Sequence, residues 1–205
     1  MPLIHKIEES DFRVGVWKIT EGESFFSNKL GFCSIIKSTV QKMQYMATRL
    51  ILTELNSEFL IGDIDDWSQN KPLYRNNYFY FNISHTSNMA VAILSTSKHV
   101  GIDIELISGR ISSLKGHFLN NHELELLEYI DSDNLIEVIS LFWTVKEAVL
   151  KWIGDSEFDY LYCITIQNYN LNNENIINVK LDNYEIISVK VKYFKLDNYW
   201  ISFCV

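Results

Sequence analysis

Hydrophobic and polar positions repeat with two different periods along this chain. Between residues 35 and 55, Ile36, Val40, Met43, Met46 and Leu50 recur at three- and four-residue steps, as do Ile51 and Leu55, a pattern that predicts a helix. Lys37, Lys42 and Arg49 fall mainly off that stripe. Residues 12–20 read as an opening strand and Tyr78 to Asn82 as an aromatic strand, followed by the apolar run Ala90 to Leu94. Ile102, Ile104 and Leu106 then alternate with Asp103 and Glu105, the period of a strand with one buried face. A leucine- and glutamate-rich helix is expected over 121–130. Asp131-Ser132-Asp133-Asn134 breaks it, and the longest helix runs from Leu135 to Ile153 and stops at Gly154. From Asp159 the texture becomes β, over 161–166, 186–194 and 199–205. Residues 56–78 are polar and turn-rich, and the Asn-rich segment 168–178 reads as a variable connection. Strands and helices followed by strands again point to an α+β class rather than a doubly wound parallel sheet.

Composition narrows the function classes. The 205 residues are 47% hydrophobic and 21% charged, enough for a packed core. No apolar run reaches the roughly 18 residues that a bilayer span needs. The start of the chain lacks a charged-then-apolar leader, so a cytoplasmic location is expected. Cys33, Cys163 and Cys204 are scattered, without metal-ligand spacing. A net charge of −8 argues against a nucleic-acid binder that neutralises phosphate over a broad face. The distribution matters more than the sum. Acids are absent from Ser24 to Thr53 and from Trp67 to Ile102, whereas they crowd Asp103 to Asp159. The first half suits an anion and the second a cation, with a boundary near residue 100 separating units 1–99 and 100–205.

Two short segments carry candidate chemistry. On a strand, Asp103 and Glu105 project to one side and repel each other unless a cation or proton lies between them. On a helix, Glu147 and Lys151 lie four apart and share a face. Three carboxylates and a lysine could therefore converge on a divalent metal with a phosphate. Each piece also has a plainer reading: a solvated strand face for Asp103 and Glu105, and a surface pair contributing about 0.2–0.5 kcal/mol for Glu147 and Lys151. In Asn82-Ile83-Ser84-His85-Thr86 the hydroxyls and imidazole could donate to a phosphate, or Ser84 could cap a turn and His85 be structural. Asp63, Asp65 and Asp66 lack the glycine and closing glutamate of a calcium loop, which removes that reading.

Gly101-Ile102-Asp103-Ile104-Glu105, Trp143-Thr144-Val145-Lys146-Glu147-Ala148-Val149-Leu150-Lys151 and Asn82-Ile83-Ser84-His85-Thr86, together with Lys71-Pro72 and the Arg49-containing helix, resemble the 4′-phosphopantetheinyl transferase superfamily, in particular its surfactin-synthetase-type branch. The likeness spans about residues 35 to 153. It implies two similar α/β subdomains related by a pseudo-twofold axis, with coenzyme A in the cleft between them. It also implies Mg²⁺-dependent transfer of the phosphopantetheine arm from coenzyme A to a serine of an acyl or peptidyl carrier protein, releasing adenosine 3′,5′-bisphosphate. By the family pattern Asp103, Glu105 and Glu147 hold the metal and Lys151 contacts the phosphates. Lys71, Ser84, His85 and Arg49 would contact the coenzyme, and Glu147 or Glu123 would serve as base. Asn70 departs from the glycine that commonly precedes the Lys-Pro pair. The expected partners are coenzyme A and a carrier protein, with neither nucleic acid nor membrane, and the expected state is a monomer. Another Mg²⁺-dependent phosphodiesterase or phosphotransfer enzyme, or a non-catalytic protein that binds coenzyme A or carriers, would share the same residues.

Overall fold

Leu3–Glu8 (β1) alternates half-buried and exposed positions and pairs with Phe12–Lys18 (β2), whose interior positions are buried. The structure is a computed structural model and describes residues 3–65, 72–75, 78–154, 163–169, 175–182 and 187–205. Contacts divide the chain into two units, Met1–Val100 and Gly101–Val205.

In the first unit, Tyr80–Thr86 (β5) and Met89–Ser95 (β6) complete an antiparallel sheet in the order β1-β2-β6-β5. Every residue of β6 is buried, so a central strand reads as a continuous apolar run and not as an alternation. Glu23–Leu30 (α1) and Thr39–Leu55 (α2) accompany that sheet, and the two-residue strands Ile64–Asp65 (β3) and Leu73–Tyr74 (β4) pair antiparallel. The long helix begins at Thr39 because the Ser38 hydroxyl accepts from the Gln41 N–H and caps it. Residues 35–38 therefore lie outside the helix, and Ile35 is left exposed. Its apolar face packs on the sheet through Met46, Leu50, Ile51 and Leu55.

The second unit opens with Gly101–Leu106 (β7) and the short Gly109–Ser113 (α3). Asn121–Leu127 (α4), Ser132–Ile153 (α5), Ile164–Ile166 (β8), Ile176–Leu181 (β9), Ile187–Leu196 (β10) and Tyr199–Cys204 (β11) follow. Its five-stranded antiparallel sheet runs β7-β11-β10-β9-β8. The 22-residue α5 ends at Gly154 with φ 77, the left-handed geometry that glycine adopts at a helix C-terminus. Its inner face, including Val138, Leu141, Phe142, Val145 and Val149, forms the core with Ile164, Val179 and Val191.

Further expectations about local structure are corrected. The strand that was to end at Asn82 continues through Ser84 and His85 to Thr86, because ladder pairing with β6 runs to Thr86–Met89. Part of the Asn-rich connection is strand: Ile176, Ile177 and Asn178 begin β9, whose alternating burial outweighs its asparagines. The helix placed over 121–130 closes at Leu127, and the long helix expected from Leu135 already begins at Ser132, inside the stretch expected to break it. The expected mixture of helices and strands is found, and the strands pair antiparallel. Among the described residues no helix is long and apolar enough to cross a membrane.

Candidate functional site

β7 pairs with β11 so that Asp103 lies opposite Ser202 and Glu105 opposite Trp200. On the same face the Cys204 thiol donates to the Ala148 carbonyl at 3.6 Å, and the Trp200 indole donates to the Glu137 carbonyl at 2.9 Å. This is the face that α5 covers, and by the two-residue strand period it carries Gly101, Asp103 and Glu105. Gly101 permits the close approach. A Cβ there would stand 2.0 Å from the Ala148 carbonyl oxygen and 2.7 Å from the Trp152 backbone nitrogen. Helix backbone and strand backbone thus meet where only hydrogen fits.

Along α5, Trp143, Glu147 and Lys151 follow at four-residue steps and form one ridge. Both ends of that ridge touch the acidic strand. The Lys151 ammonium donates to Asp103 Oδ1 at 2.6 Å, and the Trp143 indole N–H donates to the Glu105 carboxylate. Glu147 sits between them, half-buried, one turn from each. Asp103 is only 4% exposed, so its charge is held largely out of water against the lysine.

Burial, and then the neighbouring Asp103 charge, push the Glu105 carboxyl from its ordinary value of 4.5 up to about 7. The Trp143 hydrogen bond and the Lys151 charge oppose that rise without cancelling it. Two carboxylates crowded on one strand face, with one lysine to balance them, make a site that gains from a further cation. Among the described residues no three acidic, histidine or cysteine groups are already drawn together as metal ligands. The donor set nonetheless fits Mg²⁺, a hard cation that takes carboxylate oxygens and keeps several waters.

Other expected residues are placed differently. Glu123 is wholly buried, and its carboxylate accepts from the Lys146 ammonium at 2.7 Å, the Ile166 N–H at 2.8 Å and the Asn120 N–H at 2.9 Å. With Asn120 it forms a capping box at the start of α4. Glu123 thus has no exposed surface and both carboxylate oxygens engaged, the surroundings in which the structure places this candidate base. Arg49 is 4% exposed; its guanidinium lies 3.7 Å from the Tyr45 ring centroid and donates to the Thr48 hydroxyl at 3.1 Å. It packs along its own helix. Lys42 pairs with Glu23 at 3.0 Å. Ser84 is buried and His85 exposed on adjacent positions of β5, which point to opposite faces of the first unit's sheet. Lys71 lies outside the described residues.

Three contributors were not legible from the pattern alone. Trp143 stands four residues before Glu147 on the same ridge as Lys151, but nothing in the pattern marks the carboxylate it reaches. Nothing at Lys146 in the sequence marks it as buried. At Gly101 nothing in the sequence marks the carbonyl it faces.

Comparison with known proteins accords with this arrangement. The family model for the 4′-phosphopantetheinyl transferase superfamily matches residues 99–204. The 4′-phosphopantetheinyl transferase HetI of Nostoc sp. is 31% identical over 94 residues, which are 43% of this chain and 40% of that protein. The 4′-phosphopantetheinyl transferase AcpT of Escherichia coli K12 is 29% identical over 125 residues, 57% of this chain and 60% of that protein. The matched regions thus span from under half to somewhat over half the length of these relatives. With half of its residues under the family model, and with the acidic strand and the lysine-bearing helix both inside the matched region, the chain belongs to the 4′-phosphopantetheinyl transferase superfamily.

Proposed function

We propose that this protein transfers the 4′-phosphopantetheine arm of coenzyme A to a serine hydroxyl of an apo acyl or peptidyl carrier protein, releasing adenosine 3′,5′-bisphosphate. The observation that carries the reading is the apposition of β7 and α5. It brings Asp103 against Lys151 and Glu105 against Trp143, with Glu147 on the ridge between. Asp103, Glu105 and Glu147 would hold Mg²⁺, which when bound neutralises charge on the coenzyme's diphosphate.

The remaining roles belong to side chains of this chain. Lys151, once Asp103 has another cation, is free to donate to a phosphate oxygen and to offset the charge that grows on the leaving bisphosphate. Glu147 takes the proton from the carrier's serine, directly or through a water. The serine oxygen forms its bond to the β-phosphorus as the bond from that phosphorus to the bridging oxygen breaks, so the bisphosphate leaves with the electron pair. Trp143 holds the Glu105 carboxylate in position. Lys71, Ser84 and His85 contact the nucleotide end of the coenzyme. The proposal keeps the pseudo-twofold pairing of two halves that the resemblance implies, a monomeric state, a cytoplasmic location and membership of the surfactin-synthetase-type branch. The nucleophile comes from the partner, which is why the chain needs no serine-histidine-acid arrangement of its own.

The test mixes the protein with an apo-carrier, coenzyme A and Mg²⁺ and weighs the carrier. A gain of one phosphopantetheine arm is expected. It should disappear with chelator and fall by about 10²–10³ in rate with Asp103→Ala. Release of phosphopantetheine into solution with carriers of every type left unmodified would overturn transfer in favour of hydrolysis.

A further inference from the structure

Lys146 and Glu123 are both fully buried in the second unit, and they bond to each other at 2.7 Å. Lys146 also donates to the Phe118 carbonyl at 2.6 Å. Glu123 in turn receives the N–H of Ile166 on β8, the edge strand at the far side of the sheet from β7. One ion pair therefore ties the middle of α5 to the segment leading into α4 and to a sheet edge. A pair with no exposed surface is not explained by stability. Removing two charges from water costs several kcal/mol per ion, and apolar residues of similar volume often serve a fold as well or better.

The position of Lys146 on α5 suggests what the pair does. Lys146 and Ala148 are two residues apart, about 200° around the helix at 3.6 residues per turn. Ala148 presents the carbonyl that Gly101 admits. The helix is thus gripped on nearly opposite flanks, by the Gly101 contact on one side and by the Lys146–Glu123 pair on the other. Glu147 lies between these two grips. We infer that Lys146 and Glu123 are positioning residues, a buried strut that sets the rotation of α5 and so holds Glu147 and Lys151 at their reach toward Asp103 and Glu105. Its effect on turnover rests on the transferase reading, whereas its effect on the Lys151–Asp103 contact does not. A helix turning by about 20° would carry a carboxylate near 6 Å from its axis through roughly 2 Å, and a misplacement of 1 Å can lower a rate about 10²-fold.

The test replaces both charges at once, as Glu123→Leu with Lys146→Met, so that no lone buried charge remains. Three measurements are made on the folded double variant: its thermal midpoint, the rate at which an acylating reagent labels Lys151, read by peptide mass spectrometry, and its steady-state kinetics of carrier modification. A strut predicts a thermal midpoint close to that of the unmodified protein, several-fold faster labelling of Lys151, and a kcat lowered by about tenfold or more with the KM for coenzyme A little changed. Unchanged labelling and unchanged kcat at an unchanged midpoint would overturn it. Should the double variant fail to fold, Lys146→Arg preserves the charge and alters the geometry. Faster Lys151 labelling in that variant supports the strut, and wild-type labelling refutes it. If the unmodified protein transfers nothing while the labelling still rises, the strut stands and the transferase reading falls.

Discussion

Replacing Gly101 by alanine should separate β7 from α5. The new Cβ would sit 2.0 Å from the Ala148 carbonyl oxygen, 2.7 Å from the Trp152 nitrogen and 2.8 Å from the Trp152 Cβ. The first two are backbone atoms and cannot rotate aside. Since real Cβ atoms essentially never lie under 3.0 Å from such neighbours, strand and helix must part by about 1 Å. Inserting one methyl group into a packed interior costs about 1–3 kcal/mol where side chains can adapt; here none can, so the upper end, about 3 kcal/mol, is expected. For a chain of this size that corresponds to a fall in thermal midpoint of roughly 6–12 °C. Tryptophan fluorescence during thermal unfolding reports it well, because Trp143, Trp152 and Trp200 all belong to the second unit. The same displacement draws Lys151 and Glu147 away from Asp103 and Glu105, so carrier modification should fall by about 10²-fold even at temperatures where the variant is folded. A Gly101→Ala protein with wild-type midpoint and wild-type rate would show that the close approach of β7 and α5 does not govern the site.

Two further predictions concern the charges. Glu105 binds its proton more tightly folded, at about 7, than in its ordinary state at 4.5. The folded state therefore holds the extra proton between those values, and stability falls as pH rises across that window and levels off above it. With the group partly open to solvent, the loss should be about 1–2 kcal/mol. Glu105→Gln should flatten that slope in urea titrations made from pH 4.5 to 8, and a slope unchanged by the substitution would contradict the assignment. Lys151→Met removes the cation that now bonds Asp103, with Lys151 itself 27% exposed. It should destabilise the metal-free protein by about 1.5–3 kcal/mol, yet raise its affinity for Mg²⁺ by removing a competitor at the same oxygen, while lowering turnover. Calorimetric titration with Mg²⁺ checks the affinity, and weaker binding in the variant would argue against competition at Asp103.

Much of the site was visible in one dimension because it rests on short-range periodicity. The alternation of Ile102, Asp103, Ile104 and Glu105 settles that both acids leave the strand on one side, and the four-residue step from Glu147 to Lys151 settles that both leave the helix on one side. These relations depend only on the pitch of a strand and of a helix, so they hold before the chain is folded. Where the long helix stops was equally plain, since Gly154 supplies the left-handed residue a helix end uses. Short pairings at the edge, such as β1, and the eight-residue α1 carry too few periodic positions to stand out.

Whether the acidic side of the strand faces the lysine-bearing side of the helix could not be read that way. That depends on sheet order, which places β7 beside β11, and on a glycine hydrogen that lets Ala148 approach. The same holds for Glu123 and Lys146. In sequence each is an ordinary charged residue of a helix, and only the packing of α4, α5 and β8 buries the two charges against each other. Arg49 marks the opposite outcome, a basic residue that the fold lays along its own helix over Tyr45. Local geometry is a property of neighbouring residues and survives in the unfolded chain as a bias. Desolvation and ion pairing are properties of residues far apart in sequence, and they acquire a value only once folding has brought those residues together and excluded the water between them.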